Sequence, residues 1–195
     1  KGCNALDFED ILNLTLELFE KHPEAIREVT SRFRYVMVDE YQDTNAVQYR
    51  LLRRLVESHS NLCVVGDDDQ SIYGWRGAEP ANLFRFEKDF PNAKLIRLEQ
   101  NYRSTEVILQ AANQLIHNNT QRLPKELWSE KPGGSLIEWI PAEDETKEME
   151  TVVRRIRLQS MRHGRKLSDS SILYRSHFQS RVVEEALRDA RVPYR

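Results

Sequence analysis

The sequence predicts an α/β fold built on parallel β-sheet. Segments with a strand pattern alternate with segments with a helix pattern, and three successive predicted strands end in clusters of polar residues. The composition is that of a globular protein, because 31% of the 195 residues are charged and 39% are apolar. The 29 basic and 31 acidic residues leave a net charge of -2, so any contact with nucleic acid must be local.

The first half of the chain is predicted to contain two helices and three strands. Apolar residues at helical spacing predict a helix from Asp7 to Lys21, with Asp7 as its N-cap, and a second helix from Asn45 to Val56. Runs of β-branched and aromatic residues predict buried strands at residues 33–38, 62–65 and 95–98. Cys63, in the second of these strands, is expected to pack as a small hydrophobic residue.

The second half continues the alternation of helices and strands. Ser104 is the predicted cap of a helix whose apolar stripe includes Val107, Ala111 and Leu115. The remaining predicted helices lie at residues 146–161 and 179–190. The remaining predicted strands lie at residues 136–140 and 171–174, and one more begins at 192–195.

Membrane insertion and secretion are not expected. No apolar run approaches the roughly 20 residues that a membrane-spanning helix needs. The chain has only two cysteines, Cys3 and Cys63, and no signal-peptide pattern. These features predict a reduced, cytoplasmic protein with no membrane partner.

Polar side chains follow three of the predicted strands. In open α/β sheets, ligands bind just beyond the carboxyl ends of the strands. These side chains are therefore candidates for one shared site. They are found at residues 39–40, 67–70 and 99–103.

The first motif is DEYQDT at residues 39–44. A carboxylate pair at the tip of a buried strand suits a magnesium–nucleotide site, where one residue holds the metal, usually through water, and the next activates a water nucleophile. The alternative is that Asp39, Glu40 and Asp43 only end a strand and begin a helix, whose dipole favours acidic residues there.

The second motif is GDDDQSIYGWRG at residues 66–77. Tyr73 and Trp75, with Arg76, have the composition of a stacking platform for single-stranded bases with a phosphate contact beside it. Gln70 can donate an amide hydrogen bond to a phosphate. The alternative is a loop whose aromatic residues pack against the next helix.

The third motif is LEQNYRST at residues 98–105. Tyr102 can stack on a purine, and the guanidinium of Arg103 can reach a phosphate. The alternative is a surface arginine followed by a helix-capping serine.

The three motifs, in this order, resemble the superfamily 1 DNA helicases of the UvrD, PcrA and Rep type. The similarity extends from Ala5 to Tyr194, and the triple aspartate and the run ILYRSHFQSR at residues 172–181 are most similar to Rep. The resemblance implies parts of two RecA-like motor domains of the P-loop NTPase type, with parallel sheets and ATP between them. Residues 1–98 would be the later half of the first motor domain. Residues 99–195 would be the first half of the second, ending before an inserted subdomain.

The resemblance also implies roles in ATP hydrolysis for five residues. Asp39 is similar to the aspartate that holds Mg²⁺, through water, and Glu40 to the base that activates water. Gln70 corresponds to the glutamine that couples the γ-phosphate to contacts with DNA. Tyr102 corresponds to the tyrosine that stacks on adenine, and Arg103 to the arginine that touches the γ-phosphate.

For DNA binding, the resemblance implies that Trp75 stacks on a base and that Tyr73 and Arg76 belong to the same motif. The implied activity is ATP-dependent 3′→5′ movement on single-stranded DNA with unwinding of duplex, and the cofactors are ATP and Mg²⁺. The implied partners are single-stranded DNA, single-strand/duplex junctions, and either further copies of the chain or replication and repair proteins. The implied location is the bacterial cytoplasm, at the nucleoid.

Several parts of the family's pattern have no counterpart in this sequence. None of the seven glycines is followed by lysine, so there is no phosphate loop of the GxxxxGK[ST] kind. The upstream glutamine that reads adenine and the last arginine motif are also missing. We therefore expect an internal fragment of a longer helicase, the parent protein, and we expect the isolated fragment to be inactive.

Two other functions are compatible with some of these residues. A metal-dependent nuclease would use Asp39, Glu40, Asp43 and the aspartates at 67–69 to bridge two ions about 4 Å apart. That chemistry does not account for Gln70 or for the later aromatic and arginine residues. A non-catalytic module that binds DNA or a protein would describe the isolated chain.

Overall fold

The computed structural model describes residues 5–195, so Cys3, one of the two cysteines expected to be reduced, lies outside this part. The chain forms two compact units, one ending at Leu136 and one spanning Ile137–Arg195. Single 3₁₀ turns at Tyr41–Asp43, Asp68–Gln70 and Gly74–Arg76 carry several site residues. The helices and strands are α1 (Phe8–Lys21), α2 (Pro23–Arg32), β1 (Val36–Val38), α3 (Ala46–Val56), β2 (Leu62–Val64), α4 (Ala81–Asp89), α5 (Glu106–Ile116), α6 (Glu145–His163) and α7 (Ser180–Asp189).

The helices predicted from apolar spacing are present, and local capping explains where the first ones begin. Asp7 accepts a hydrogen bond from the backbone N–H of Asp10 at 2.7 Å and so caps α1. Asn45 caps α3 in the same way, accepting from the N–H of Gln48 at 2.9 Å. In both helices the side chain of the third residue, Asp10 or Gln48, accepts a hydrogen bond from the backbone N–H of the N-cap residue, which completes a capping box.

The prediction that Ser104 caps α5 is wrong. Thr105 is the N-cap residue of this helix, and the N–H of Ser104 instead donates to Asn101 Oδ1 at 2.8 Å. The residue of α5 that is buried is Leu109, whereas Leu115 of the predicted apolar stripe is exposed.

The first unit contains a parallel pair of strands, β1 and β2, as the α/β prediction requires. Val36 pairs with Leu62 and Val38 with Val64. These four side chains pack on one face, against a core that contains Tyr41, Leu52 and Val56. The core thus lies directly behind the strand ends that carry the first two motifs.

The other face of the same strands is exposed, so the prediction that these strands are buried is wrong for that face in the described residues. Met37 is 77% exposed, and Cys63, its partner across the strands, is also exposed. Successive side chains of a strand point to opposite faces, and helices of the described chain cover only one face here. Cys63 therefore does not pack as a core residue.

The other predicted strands are also wrong within residues 5–195, because residues 95–98, 136–140, 171–174 and 192–195 form no strand there. Their large apolar side chains are mostly exposed, with Leu98, Trp139 and Leu173 among them. An extended apolar segment becomes a strand only where a partner strand satisfies its backbone groups.

The second unit, Ile137–Arg195, is built on α6 and α7. Val153 of α6 packs against Val183 and Leu187 of α7, and Val192 completes this core. The observed combination of helices with a small parallel sheet agrees with an α/β class. The division into two motor domains at residue 98 stays a prediction.

Candidate functional site

Glu40 occupies an unusual backbone conformation at the end of β1. Its φ of 50° and ψ of 44° place a non-glycine residue in the left-handed region, which costs on the order of 1–3 kcal/mol. Residues in this conformation cluster at functional sites. The backbone N–H of Glu40 donates to Asp39 Oδ1 at 2.9 Å. Both carboxylates are exposed at the strand tip.

Gln42 joins the first motif to the second. Its side chain is buried, with 1% exposed, and its Nε2 donates to Glu40 Oε2 at 2.7 Å. Its Oε1 accepts from the backbone N–H of Asp67 at 3.0 Å. A Cβ at Gly66 would lie 2.8 Å from that same oxygen, so a larger residue there would displace the Gln42 amide. The structure therefore brings together the polar clusters at residues 39–40 and 67–70.

Sequence reasoning missed Gln42, although a signal was available. An amide both donates and accepts, and this one lies between acidic residues in DEYQDT. Such a residue can hold a carboxylate on one side and a backbone N–H on the other.

Gln70 is held by the turn in which it lies. Its Nε2 donates to Asp67 Oδ2 at 2.7 Å, and the Asp69 N–H donates to Asp67 Oδ1 at 3.1 Å. An amide nitrogen carries two N–H groups, so the contact with Asp67 leaves Gln70 a second donor for a ligand. The side chain is exposed and open to such a ligand.

The three aspartates of this turn bind two cations from the segment that follows α5. Lys125 Nζ lies 3.0 Å from Asp67 Oδ1 and 2.8 Å from Asp69 Oδ2, and it also contacts Asp68. Arg122 binds Asp69 with two nitrogens, Nε at 3.1 Å and Nη2 at 2.8 Å. The side chain of Asp68 is 4% exposed and that of Lys125 is 17% exposed. These ion pairs are largely shielded from water.

The pKa shifts agree with this pairing. Burial raises the pKa of Asp69, but hydrogen bonds from Arg122 and Lys125 outweigh burial and hold it below the ordinary value. Burial lowers the pKa of Lys125, and its three aspartate partners hold it above the ordinary value. The aspartates at 67–69 are thus engaged by protein cations, which argues against the nuclease alternative that needs them as metal ligands.

Trp75, Tyr73 and Arg76 form an exposed aromatic platform just after Gln70. The Trp75 side chain is 72% exposed, and the ring centroids of Tyr73 and Trp75 are 6.4 Å apart. The Arg76 guanidinium carbon lies 4.5 Å from the Trp75 centroid and 5.4 Å from that of Tyr73. Gly77 ends the turn with a φ of 82°, which favours glycine. The alternative is a loop whose aromatic residues pack against the next helix, and the exposure of Trp75 and Tyr73 does not favour it.

Tyr102 and Arg103 are exposed on a separate loop. The Tyr102 hydroxyl donates to Gln100 Oε1 at 2.7 Å, and the Arg103 N–H donates to Asn101 Oδ1 at 2.9 Å. Between residues 5 and 195, no hydrogen bond or ion pair joins Arg103 to Glu40 or Gln70. Within the described residues, the third polar cluster is therefore not joined to the first two by a hydrogen bond or an ion pair.

Comparison with known families identifies the class of protein. Residues 1–91 match the family model of the UvrD/REP helicase N-terminal domain, and residues 96–195 match that of the UvrD-like helicase C-terminal domain. The chain therefore belongs to the UvrD-like helicase family. This family assignment confirms the resemblance drawn from the three motifs.

Individual relatives agree with this assignment. The chain is 50% identical over 190 residues to proteins described as ATP-dependent DNA helicase PcrA from Staphylococcus aureus (strain NCTC 8325 / PS 47) and Staphylococcus epidermidis (strain ATCC 12228 / FDA PCI 1200). The match covers 97% of this chain but 26% of each relative. The particular similarity to Rep stays a prediction. Every helix of the described residues is too short or too polar to cross a bilayer.

Proposed function

We propose that this chain is the central part of an ATP-dependent DNA helicase that moves 3′→5′ on single-stranded DNA and unwinds duplex. The observation that carries the proposal is the pair of hydrogen bonds made by Gln42. They tie Glu40, the candidate base, to the turn of Gln70, which leads directly into the platform of Trp75. A residue suited to hydrolysis and a surface suited to DNA are thus parts of one connected structure.

In this proposal, Asp39 and Glu40 divide the work at the strand tip. Asp39 Oδ1 is engaged by the Glu40 N–H, and its second oxygen can accept a hydrogen bond from a water bound to Mg²⁺, a cation that prefers oxygen ligands. Bound Mg²⁺–ATP supplies the phosphoryl group that is transferred to water. Glu40 takes a proton from the attacking water, and Gln42 fixes the orientation of its carboxylate.

Gln70, Tyr102 and Arg103 complete the nucleotide-binding group. The free N–H of Gln70 would donate to the terminal phosphate, so that the turn of Gln70 responds to the nucleotide. Tyr102 would stack on adenine, and Arg103 would place its charge against the terminal phosphate. The exposure of Tyr102 and Arg103 supports these roles, because both side chains are accessible to a ligand.

The platform of Tyr73, Trp75 and Arg76 would hold single-stranded DNA. An exposed indole offers one face to a base, and the adjacent guanidinium offers charge to the phosphate backbone. The proposed substrates are single-stranded DNA and single-strand/duplex junctions in replication and repair, in the bacterial cytoplasm at the nucleoid. Proposed protein partners are further copies of the chain or replication and repair proteins.

The isolated chain is proposed to be inactive as an ATPase, because it has no phosphate loop to hold the nucleotide. It can still serve as a DNA-binding module, a second function that the exposed platform favours. On this basis, ATP hydrolysis requires the parent protein, while binding of single-stranded DNA requires only the platform.

The test compares ATP hydrolysis by the parent protein and by this chain, each with and without single-stranded DNA. We expect hydrolysis that DNA stimulates in the parent and none in the chain. Hydrolysis by the chain alone would contradict the proposed need for a phosphate loop. If neither protein hydrolyses ATP although both bind DNA, a DNA-binding module is the better description.

A further inference from the structure

The segment Arg122–Lys131 contacts both loops that carry proposed nucleotide-binding residues. At its start, Arg122 and Lys125 hold the aspartates of the turn that contains Gln70. The backbone N–H of Leu123 adds a hydrogen bond to Asp68 Oδ2 at 2.7 Å. The contacts at this end therefore involve two side chains and the main chain between them.

The end of the same segment pairs with the loop of Tyr102 and Arg103. The Asn101 N–H donates to the Trp128 carbonyl at 2.7 Å, and the Trp128 N–H donates to the Glu99 carbonyl at 3.1 Å. The Glu126 N–H donates to Glu99 Oε1 at 3.1 Å. Lys131 Nζ contacts the carbonyl of Tyr102 and lies 3.4 Å from that of Arg103.

We propose that Arg122–Lys131 is a positioning segment, which holds the turn of Gln70 and the loop of Arg103 in a defined relation. The inference rests on the proposed function only for its effect on ATP hydrolysis. In structural terms, Lys125 acts on Gln70 through Asp67, because Asp67 binds Lys125 with one carboxylate oxygen and Gln70 with the other. The two loops make no direct ion pair or hydrogen bond in the part of the chain that the structure describes, so this segment supplies the connection.

The electrostatics explain why Lys125 is central. The carboxylates of Asp67, Asp68 and Asp69 offer oxygens within 4.8 Å of one another, and like charges at that distance repel. Removing a cation from a shielded group of charges leaves its partners uncompensated. Without Lys125 the turn would rearrange, Asp67 would hold Gln70 less firmly, and residues 126–131 would be anchored to this turn only through Arg122 and the Leu123 N–H.

Amide hydrogen exchange tests the structural part in this chain itself. Lys125→Met keeps the apolar stem and removes the charge, and Lys125→Arg restores a charge. We expect Lys125→Met to raise exchange about tenfold at the N–H groups of Gln70 and of Asn101, as loss of hydrogen bonds to a charged group would. Lys125→Arg should recover most of the protection. Arg50→Met, which removes an exposed ion pair with Glu20, should leave both positions unchanged.

The amides that exchange faster in Lys125→Met show whether Lys125 positions both loops or stabilises only the turn of Gln70. If Lys125→Met loosens Gln70 but leaves Asn101 protected, the proposed connection is wrong. If Arg50→Met raises exchange at both positions as much as Lys125→Met does, the effect is general destabilisation and the proposal is also wrong. Should Lys125→Met not fold, Arg122→Lys replaces a two-nitrogen contact with a single one and should raise exchange at the same two positions by a smaller factor.

ATP hydrolysis by the parent protein tests the functional part. We expect Lys125→Met to lower DNA-stimulated kcat about tenfold or more with little change in KM for ATP, because misplaced groups slow the step more than they weaken binding. An unchanged kcat would overturn this role. Absence of DNA-stimulated hydrolysis in the unmodified parent would instead contradict the proposed function, while the exchange experiment still decides whether the segment joins the loops.

Discussion

The Gln42 amide nitrogen donates to Glu40 Oε2 at 2.7 Å, and the carbonyl oxygen of the same side chain accepts from the Asp67 N–H at 3.0 Å. One buried side chain thus orients the candidate base and anchors the turn of Gln70. Glu40 itself lies in a left-handed conformation that the surrounding structure must maintain. The geometry of the proposed site therefore depends on a residue that touches no nucleotide in the proposal.

The first prediction concerns Gln42. Gln42→Ala removes both hydrogen bonds and leaves the Asp67 N–H without its partner, which should lower the free energy of unfolding by about 1–3 kcal/mol. Urea unfolding of this chain measures the change. Gln48→Ala is the control, because it alters an exposed contact at the start of α3 and should cost less. Equal losses of stability in Gln42→Ala and Gln48→Ala would contradict the inference that Gln42 holds the site together.

The second prediction concerns Glu40 in the parent protein. Glu40→Gln keeps the size of the side chain and removes the base, so ATP turnover should fall by about 10²–10⁴ while ATP binding is retained. Steady-state hydrolysis and nucleotide binding by equilibrium titration give the two quantities. Glu57→Gln is the matched control, since Glu57 is exposed and pairs with Arg54. Near-normal turnover in Glu40→Gln would exclude Glu40 as the base.

The third prediction concerns the DNA platform and can be tested in the isolated chain. Trp75→Ala should weaken the affinity for single-stranded DNA by about 1–3 kcal/mol if a base stacks on the ring. Fluorescence anisotropy of a labelled oligonucleotide measures it. Trp139→Ala is the control, because Trp139 is also highly exposed but lies outside the platform. Unchanged affinity in a folded Trp75→Ala variant, or an equal loss in Trp139→Ala, would contradict the assignment.

The fourth prediction concerns Arg103. If Arg103 stabilises charge on the transferred phosphoryl group, Arg103→Ala in the parent protein should lower turnover by about 10³–10⁵. Arg85→Ala, at an exposed arginine near Glu79, is the control and should leave turnover unchanged. Single-turnover hydrolysis separates the chemical step from binding. A loss of ATP binding with the rate preserved would argue against this role.

The features that could be predicted from sequence are those that local physics determines. The caps at Asp7 and Asn45 depend on residues three positions away, so the starts of α1 and α3 follow from the sequence. Strands depend on distant partners: residues 95–98 and 136–140 have the composition of strands but form none in the described chain. The prediction that Cys63 is buried failed for the same reason, because burial of Cys63 requires a helix or strand on the second face of the sheet.

The candidate site follows the same division. The strand-end clusters at 39–40 and 67–70 could be predicted because parallel strands bring their carboxyl ends to one edge. The Gln42 contact to Asp67 spans 25 positions, and the Arg122 contact to Asp69 spans 53. Contacts at such separations leave no periodic pattern in one sequence. They are also the contacts that hold the proposed catalytic and phosphate-binding side chains in place.

Tyr41, next to Glu40, packs in the core that supports the site. Its side chain is fully buried, with 0% exposed, and its ring meets the edge of Phe86 at a centroid distance of 5.7 Å. Its hydroxyl has no hydrogen-bond partner among the described residues. Burial, together with the nearby Tyr49 and Asp89, raises the pKa of Tyr41 from 10.0 to about 12.

The fifth prediction follows from that hydroxyl. Tyr41→Phe removes an unsatisfied buried group, so the free energy of unfolding at pH 7 should rise by about 1–3 kcal/mol. In the unmodified chain, the contribution of protonated Tyr41 is complete below pH 10 and is lost as pH rises through about 12, because the unfolded tyrosine ionises first. Tyr41→Phe lacks this loss, and its advantage in urea unfolding should grow between pH 10 and pH 12. Tyr49→Phe, which loses a hydrogen bond to Asp89, should be less stable at pH 7. Lower stability of Tyr41→Phe at pH 7, with an unaltered pH dependence, would mean that the Tyr41 hydroxyl is satisfied.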